Sequence, residues 1–180
     1  FDVVAFTMTG GGFEAGTILQ ENDREITIRD AEGKTKKIDV IHKYLAMPNG
    51  IVFSPDETRI YIADTGGHTR HPDPKFHKLP ASIQCHLVSE DGKLGKKLFH
   101  IQAGSDGMAV DVQGNLYTTH AGKVHVYNAD GKELEQIDVP EGPANVCFGG
   151  DDFKTLFITA RTSLYSVRLK NPGAKPKAAK

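Results

Sequence analysis

The sequence predicts an all-β chain, and three observations carry that prediction. Apolar residues come in short runs, alternating or continuous: "IVFS", "IYIAD", "NLYTT", "KVHVY", "NVCFGG", "TLFITA" and "SLYSVRL". Clusters of Asp, Gly, Asn and Pro separate these runs, as turns require. No stretch sustains a 3.6-residue apolar period over three turns, so no long amphipathic helix is expected.

Taken in order, residues 1–45 come first and differ from the rest. "EAGTILQEN", "REITIRD" and "TKKIDVI" read as about three strands, with turns at "ND" and "AEGK". This stretch resembles a small β-barrel-like module attached to many large bacterial proteins of the planctomycete type. The competing expectation is that residues 25–45 are the last strands of a preceding unit.

From residue 46 a unit recurs. "MPNGIVFSPDETRIYIADTGG" (47–67), "GSDGMAVDVQGNLYTTHAGK" (104–123) and "GPANVCFGGDDFKTLFITART" (142–162) each give a polar loop, an inner strand, a turn and a second strand. "SPDETR", "DVQGN" and "GGDDFK" fill the same turn slot. "VYNADGKELEQIDV" adds a third and fourth strand joined by "ADGK". The second and third units start at 104 and 142, a spacing of about 40 residues that fits a β-propeller blade. The first unit is longer because "HTRHPDPKFHKLPAS" (68–82), rich in His and Pro, inserts as a loop. The tail "KNPGAKPKAAK" (170–180) offers almost nothing to bury and is expected to be disordered. The expected organisation is therefore a short β segment over 1–45, propeller blades over 46–169 and a tail over 170–180.

Composition narrows the function classes. The chain has 180 residues, is 38% hydrophobic and 25% charged, and carries a formal net charge of -1. That balance supports a buried core and argues against nucleic-acid and membrane partners, which favour a Lys/Arg excess on one face. No apolar run approaches the ~20 residues of a membrane helix. The chain opens on Phe1 rather than Met, which suggests a processed or trimmed chain and leaves the compartment open between the cytoplasm and the periplasm or exterior. Cys85 and Cys147 lack metal spacing; buried free thiols are expected, with a disulfide as the alternative.

The loops entering the innermost strands of a propeller converge on its axis. Asn49 in "PNG", Asp106 in "SDG" and Asn145 in "ANV" occupy that slot in successive units. An amide carbonyl and a carboxylate are hard oxygen donors suited to a divalent cation. Asn and Asp beside Gly are equally common turn residues, so the pattern alone leaves both roles open.

Residues 46–169 resemble the C-terminal half of the SMP-30/gluconolactonase/LRE family, with "MPNGIVFSPDETRIYIADTG" and "GSDGMAVDVQGNLYTTHAGKVHVY" through "SLYSVRL" following in order. The resemblance implies a six-bladed propeller with one axial divalent metal, hydrolysing sugar lactones or related esters. It places a metal ligand at Asn49, and a metal ligand and general base at Asp106. Calcium is the first expectation for the metal, with magnesium or zinc as alternatives. The family's third protein ligand is a glutamate of an "EGP" loop in the first blade. Here "EGP" occurs as Glu141-Gly142-Pro143 in the last unit, which reads as coincidence, and Glu14 in "FEAG" matches less well. Three units cannot close a six-bladed ring, so further blades or a second copy of the chain are the expected partners. The competing functional expectation is a non-catalytic propeller module or truncated family member that binds without chemistry.

Other candidates weigh less. His68, His71 and His77 sit among prolines in a loop and read as solvated residues rather than a metal cluster. His120 and His125 lie on one hairpin and read as satisfied structural histidines, or as a channel residue and a face residue. "TGGG" at 9–12 is a flexible turn with no helix after it to hold phosphate.

Overall fold

In a computed structural model, residues 3–7, 13–21, 25–29, 32–39, 41–42, 45–67 and 73–176 are described. The chain divides into two compact units, Phe1–Lys43 and Tyr44–Lys180. The first unit is one antiparallel sheet of four strands in sequence order: β1 (Val3–Thr7), β2 (Phe13–Glu21), β3 (Glu25–Arg29) and β4 (Thr35–Asp39). Three of these match the expected strands, and β1 is the one the sequence did not announce. The order leaves β1 and β4 as edges, so the sheet is an open meander rather than a closed barrel.

The second unit holds three sheets. The first is β5 (Pro48–Phe53), β6 (Arg59–Asp64), β7 (Ser82–Val88) and β8 (Leu94–Ile101). β9 (Met108–Val110), β10 (Leu116–His120), β11 (Lys123–Tyr127) and β12 (Glu133–Asp138) make the second. Among the described residues the third has β13 (Pro143–Gly149), β14 (Thr155–Ala160) and β15 (Ser163–Arg168). Every pairing is antiparallel between sequence neighbours, the up-and-down order of propeller blades.

The turns show why the repeat is real. Glu57 N donates to Ser54 O, Gly114 N to Asp111 O and Phe153 N to Gly150 O, each at 2.9–3.0 Å. Each closing residue has a positive φ: 58° at Glu57, 82° at Gly114 and 59° at Phe153. A short polar side chain seeds each turn: Asp56 Oδ1 accepts from Thr58 N, Asp111 Oδ1 from Gln113 N and Asp152 Oδ1 from Lys154 N. Three different sequences thus reach one geometry, and all three turns lie at the same end of their sheets.

Two seams hold the second unit together. Tyr61, Ala63, Ile83 and Cys85 of the first sheet pack on Met108, Val110, Leu116 and Tyr127 of the second. On its other face, Ala109, Tyr117, Val124 and Val126 pack on Val146, Phe148, Leu156 and Ile158 of the third. Tyr117 meets Phe148 edge to face, with ring centroids 5.2 Å apart.

Two expectations are corrected here. The start of the tail is held: Val112 N donates to Pro172 O, Ala174 N to Val110 O, Gly173 N to Phe153 O, and Asn171 Nδ2 to the buried Asp111 carboxylate. Backbone groups make most of these bonds, so the segment needs no apolar side chain to be ordered. Gly173 fits because a Cβ there would collide with Phe148. Residues 177–180 lie outside the described ones. Both thiols are free as expected, but only Cys85 is buried; Cys147 is exposed because it points to the uncovered face of the third sheet.

The insertion after β6 is a loop, with one short 3-10 turn at Pro74–Phe76 capped by Asp73. Its part carrying His68 and His71 lies outside the described residues.

Candidate functional site

Each sheet of the second unit begins with an edge strand, and β9 lies between β5 and β13. Their entry loops therefore meet at the end opposite the tight turns. Asn49 sits in the first residues of β5, where the register with β6 shifts between Pro48 and Ile51. Asn145 follows a similar shift between Pro143 and Asn145 in β13. Such bulges re-aim side chains at strand ends.

Asn49 Nδ2 donates to Asp106 Oδ1 at 3.0 Å, across 57 residues of sequence. Gly50 N reaches Ser105 O at 3.4 Å. Asn145 lies against Gly107 so closely that a Cβ on Gly107 would collide with its amide, while Asn145 Oδ1 accepts from Val146 N. The structure thus brings Asn49, Asp106 and Asn145 to one place, and all three side chains are exposed.

Buried polar groups support these loops, and the sequence did not single them out. Asp64, 3% exposed, accepts from Ala46 N at 2.7 Å, Met47 N at 2.8 Å and Gly66 N at 2.9 Å. It fixes the backbone just before Asn49. Ser105 and Thr119, 1% and 4% exposed, bond the two peptide groups of Gly107. The only available signal was a polar residue interrupting an otherwise apolar strand pattern, as in "IYIAD" and "NLYTT".

The remaining candidates have other partners. Glu141 accepts from Thr162 N and Thr162 Oγ1, both at 2.9 Å, and from Ser163 Oγ at 3.0 Å. These bonds, led by the Thr162 backbone N–H, hold its carboxyl below the usual range, and its work is to close the β14–β15 turn. Glu14 falls in β2 and its side chain is outside the described residues.

His120 and His125 stack with ring centroids 3.6 Å apart. His120 Nε2 bonds the Tyr127 hydroxyl at 3.0 Å, and burial pushes its pKa down, with His125 adding to the effect. His125 Nδ1 donates to the Glu133 carboxylate at 2.6 Å, which leaves its buried Nε2 without a hydrogen-bond partner. Parallel rings aim their lone pairs side by side rather than at one point, so the pair is not a chelate. Among the described residues no group of three or more His, Cys, Asp or Glu is placed to hold a metal.

The donor set at the entry loops is nevertheless of the right kind for a hard cation. The Asn49 N–H is spent on Asp106, which leaves its carbonyl oxygen as the donor beside a carboxylate. Oxygen-only donors suit calcium or magnesium, and calcium takes six to eight of them. Two such residues would supply only part of a coordination shell.

The up-and-down antiparallel sheets place the chain in a class, β-propellers, and comparison gives the family. A profile of the SMP-30/Gluconolactonase/LRE-like region matches residues 9–162, and the chain belongs to that family. It is 32% identical over 165 residues to a 6-deoxy-6-sulfogluconolactonase of Pseudomonas putida, covering 83% of this chain and 50% of that protein. Against a gluconolactonase of Zymomonas mobilis it is 30% identical over 140 residues, covering 76% and 39%. The chain thus spans half or less of the length of these two relatives.

Among solved structures, it is similar to a calcium-binding protein, regucalcin, from Agrobacterium tumefaciens, with a TM-score of 0.58 and 22% identity over 91% of this chain and 59% of that one. A gluconolactonase from Xanthomonas campestris gives a TM-score of 0.55 at 20% identity, over 94% and 56%. These two likenesses are evidence of a shared fold.

Proposed function

We propose that this chain is part of a hydrolase of sugar lactones or related esters that works with a divalent cation, calcium in the first instance. The observation that carries the reading is the 3.0 Å bond between Asn49 and Asp106, which joins the entry loops of two successive blades within the family-matched stretch. Lactonase names among the relatives support the substrate class.

Asn49 and Asp106 would hold the cation through the amide carbonyl and the carboxylate. When bound, a divalent cation polarises a carbonyl and acidifies a water. The work of this chain is the rest. Asp106 stands on a loop held by the Ser105 and Thr119 hydroxyls and is exposed to solvent, so water and substrate can reach its carboxylate. With Oδ1 engaged by Asn49, Oδ2 is the oxygen positioned to take a proton from an attacking water as general base and to return it to the leaving alkoxide as the ring opens.

The same reading assigns residues 3–39 to a blade. Their four-stranded meander has the order of the sheets that follow, and the family match begins at residue 9, inside that segment. It also assigns the exposed face of the third sheet to further blades or a second copy of the chain.

Asp106→Ala in the full-length protein tests the function. We expect gluconolactone turnover in excess calcium to drop by about 10²- to 10⁴-fold, as loss of a general base does, with Asn49→Ala falling between that variant and wild type. Unchanged turnover in Asp106→Ala overturns the assignment.

A further inference from the structure

We infer that Ser105 and Thr119 are positioning residues for the entry-loop site: a buried hydroxyl pair that sets the aim of Asp106 and ties its loop to that of Asn145. The inference rests on the role given to Asp106 above.

Each hydroxyl has one proton to donate, and the distances assign both. Ser105 Oγ donates to Gly107 O at 2.6 Å and accepts from Thr119 N at 2.8 Å. Thr119 Oγ1 donates to Ala144 O at 2.9 Å and accepts from Gly107 N at 3.2 Å. Gly107 is therefore gripped through both of its peptide groups, and one of those is the peptide that begins at Asp106. Rotation of that peptide would swing the carboxylate.

Gly107 has no side chain to hold it, and a side chain is excluded by Asn145. Fixing must come from outside, and a satisfied buried network is the means. The network also spans the site. Ser105 O faces Gly50 N next to Asn49, and Ala144 O, bound by Thr119, precedes Asn145. A reacting group misplaced by about 1 Å can lose about 10²-fold in rate, so such support has a kinetic signature distinct from stability.

Thr119→Val keeps the shape and removes the hydroxyl, and Thr119→Ser restores it. Three readouts are taken in the full-length protein: amide hydrogen exchange at Gly107 relative to Leu156 on β14, calcium affinity, and kcat and KM for gluconolactone. The expected result for Thr119→Val is Gly107 exchange at least tenfold faster relative to Leu156, calcium Kd at least tenfold weaker, and kcat at least tenfold lower with KM within threefold. Thr119→Ser should return all three to near wild type. If Thr119→Val does not fold, Ser105→Ala, which frees the Gly107 carbonyl and the Thr119 N–H, must show the same pattern. Wild-type exchange at Gly107, or loosened exchange with calcium affinity and kcat unchanged, overturns the inference. Asp106→Ala assayed alongside separates two failures. If that variant is inactive while Thr119→Val is normal, the positioning role alone is wrong; if Asp106→Ala is itself normal, the functional reading falls and this one with it.

Discussion

The strands of the middle sheet and those of the third sheet have similar compositions but different surroundings. Along β10, Leu116 through Thr119 are buried without interruption, and along β11 so are Val124 through Tyr127. Along β14 burial alternates instead: Leu156, Ile158 and Ala160 are inside while Phe157 and Thr159 are exposed. β15 alternates as well, with Leu164 67% exposed. The middle sheet has a neighbour on each face and the third sheet has one. Period-two burial in a strand thus reports how many of its faces are covered rather than what its residues prefer.

Two leucines in the third sheet put this contrast to the sharpest test. Leu156 is 0% exposed in the seam with the middle sheet, so Leu156→Ala should cost about 2–5 kcal/mol in urea unfolding. Leu164→Ala should cost about 0.5 kcal/mol or less. An equal cost at both positions would break the comparison and show that the outer face is covered in solution by further blades or another copy.

Asp111 ranks next. Its buried carboxylate accepts from Gln113 N, Asn115 N, Asn115 Nδ2, Tyr117 Oη and Asn171 Nδ2, so one group joins the middle sheet's turn to the strap that follows β15. Burial and this carboxylate together push the Tyr117 hydroxyl pKa strongly upward. Asp111→Ala should cost about 3 kcal/mol in the same unfolding measurement, because it leaves buried donors unpaired. It should also speed amide exchange at Gly173 and Ala174 before the seam itself opens.

The smallest effect is a pH dependence confined to the middle sheet. Burial and the neighbouring His125 lower the His120 pKa from its ordinary 6.5, while Glu133 pulls weakly the other way. The unfolded chain therefore takes up this proton first, and stability falls as pH descends through 6.5. Urea midpoints at pH 7.5 and 5.5 should differ less in His120→Gln than in wild type. An identical difference in both would mean that His120 is not the group responsible.

Strand positions and the repeat were legible because they rest on local pattern: "SPDETR", "DVQGN" and "GGDDFK" are visibly turns, and they fold to one geometry. Asn49, Asp106 and Asn145 were legible as candidates because a repeat makes its own alignment. The supports were not. Asp64 and Asp111 look like ordinary turn residues until burial shows how many donors they satisfy. Ser105 and Thr119 are joined by a contact that no spacing rule encodes. The strap at 171–174 escaped for a related reason: it is held mainly through its backbone, and composition says little about backbone bonds. Among the described residues the last sheet has three strands, and after β15 the chain turns at Asn171-Pro172 toward Asp111, where proline has no N–H to give a ladder.

The strict sequence order of the sheets also has a consequence for synthesis. Each sheet pairs only consecutive strands, so it can zip as its hairpins leave the ribosome, in about 1–10 μs per hairpin. A unit of about 40 residues takes roughly 2–8 s to be translated at about 5–20 residues per second. Within the second unit, each of the first two sheets therefore waits for seconds with a greasy face bare until its successor emerges. The nascent chain is most exposed to aggregation and to chaperones in those intervals, and the strap, translated after β15, locks a seam that is already closed.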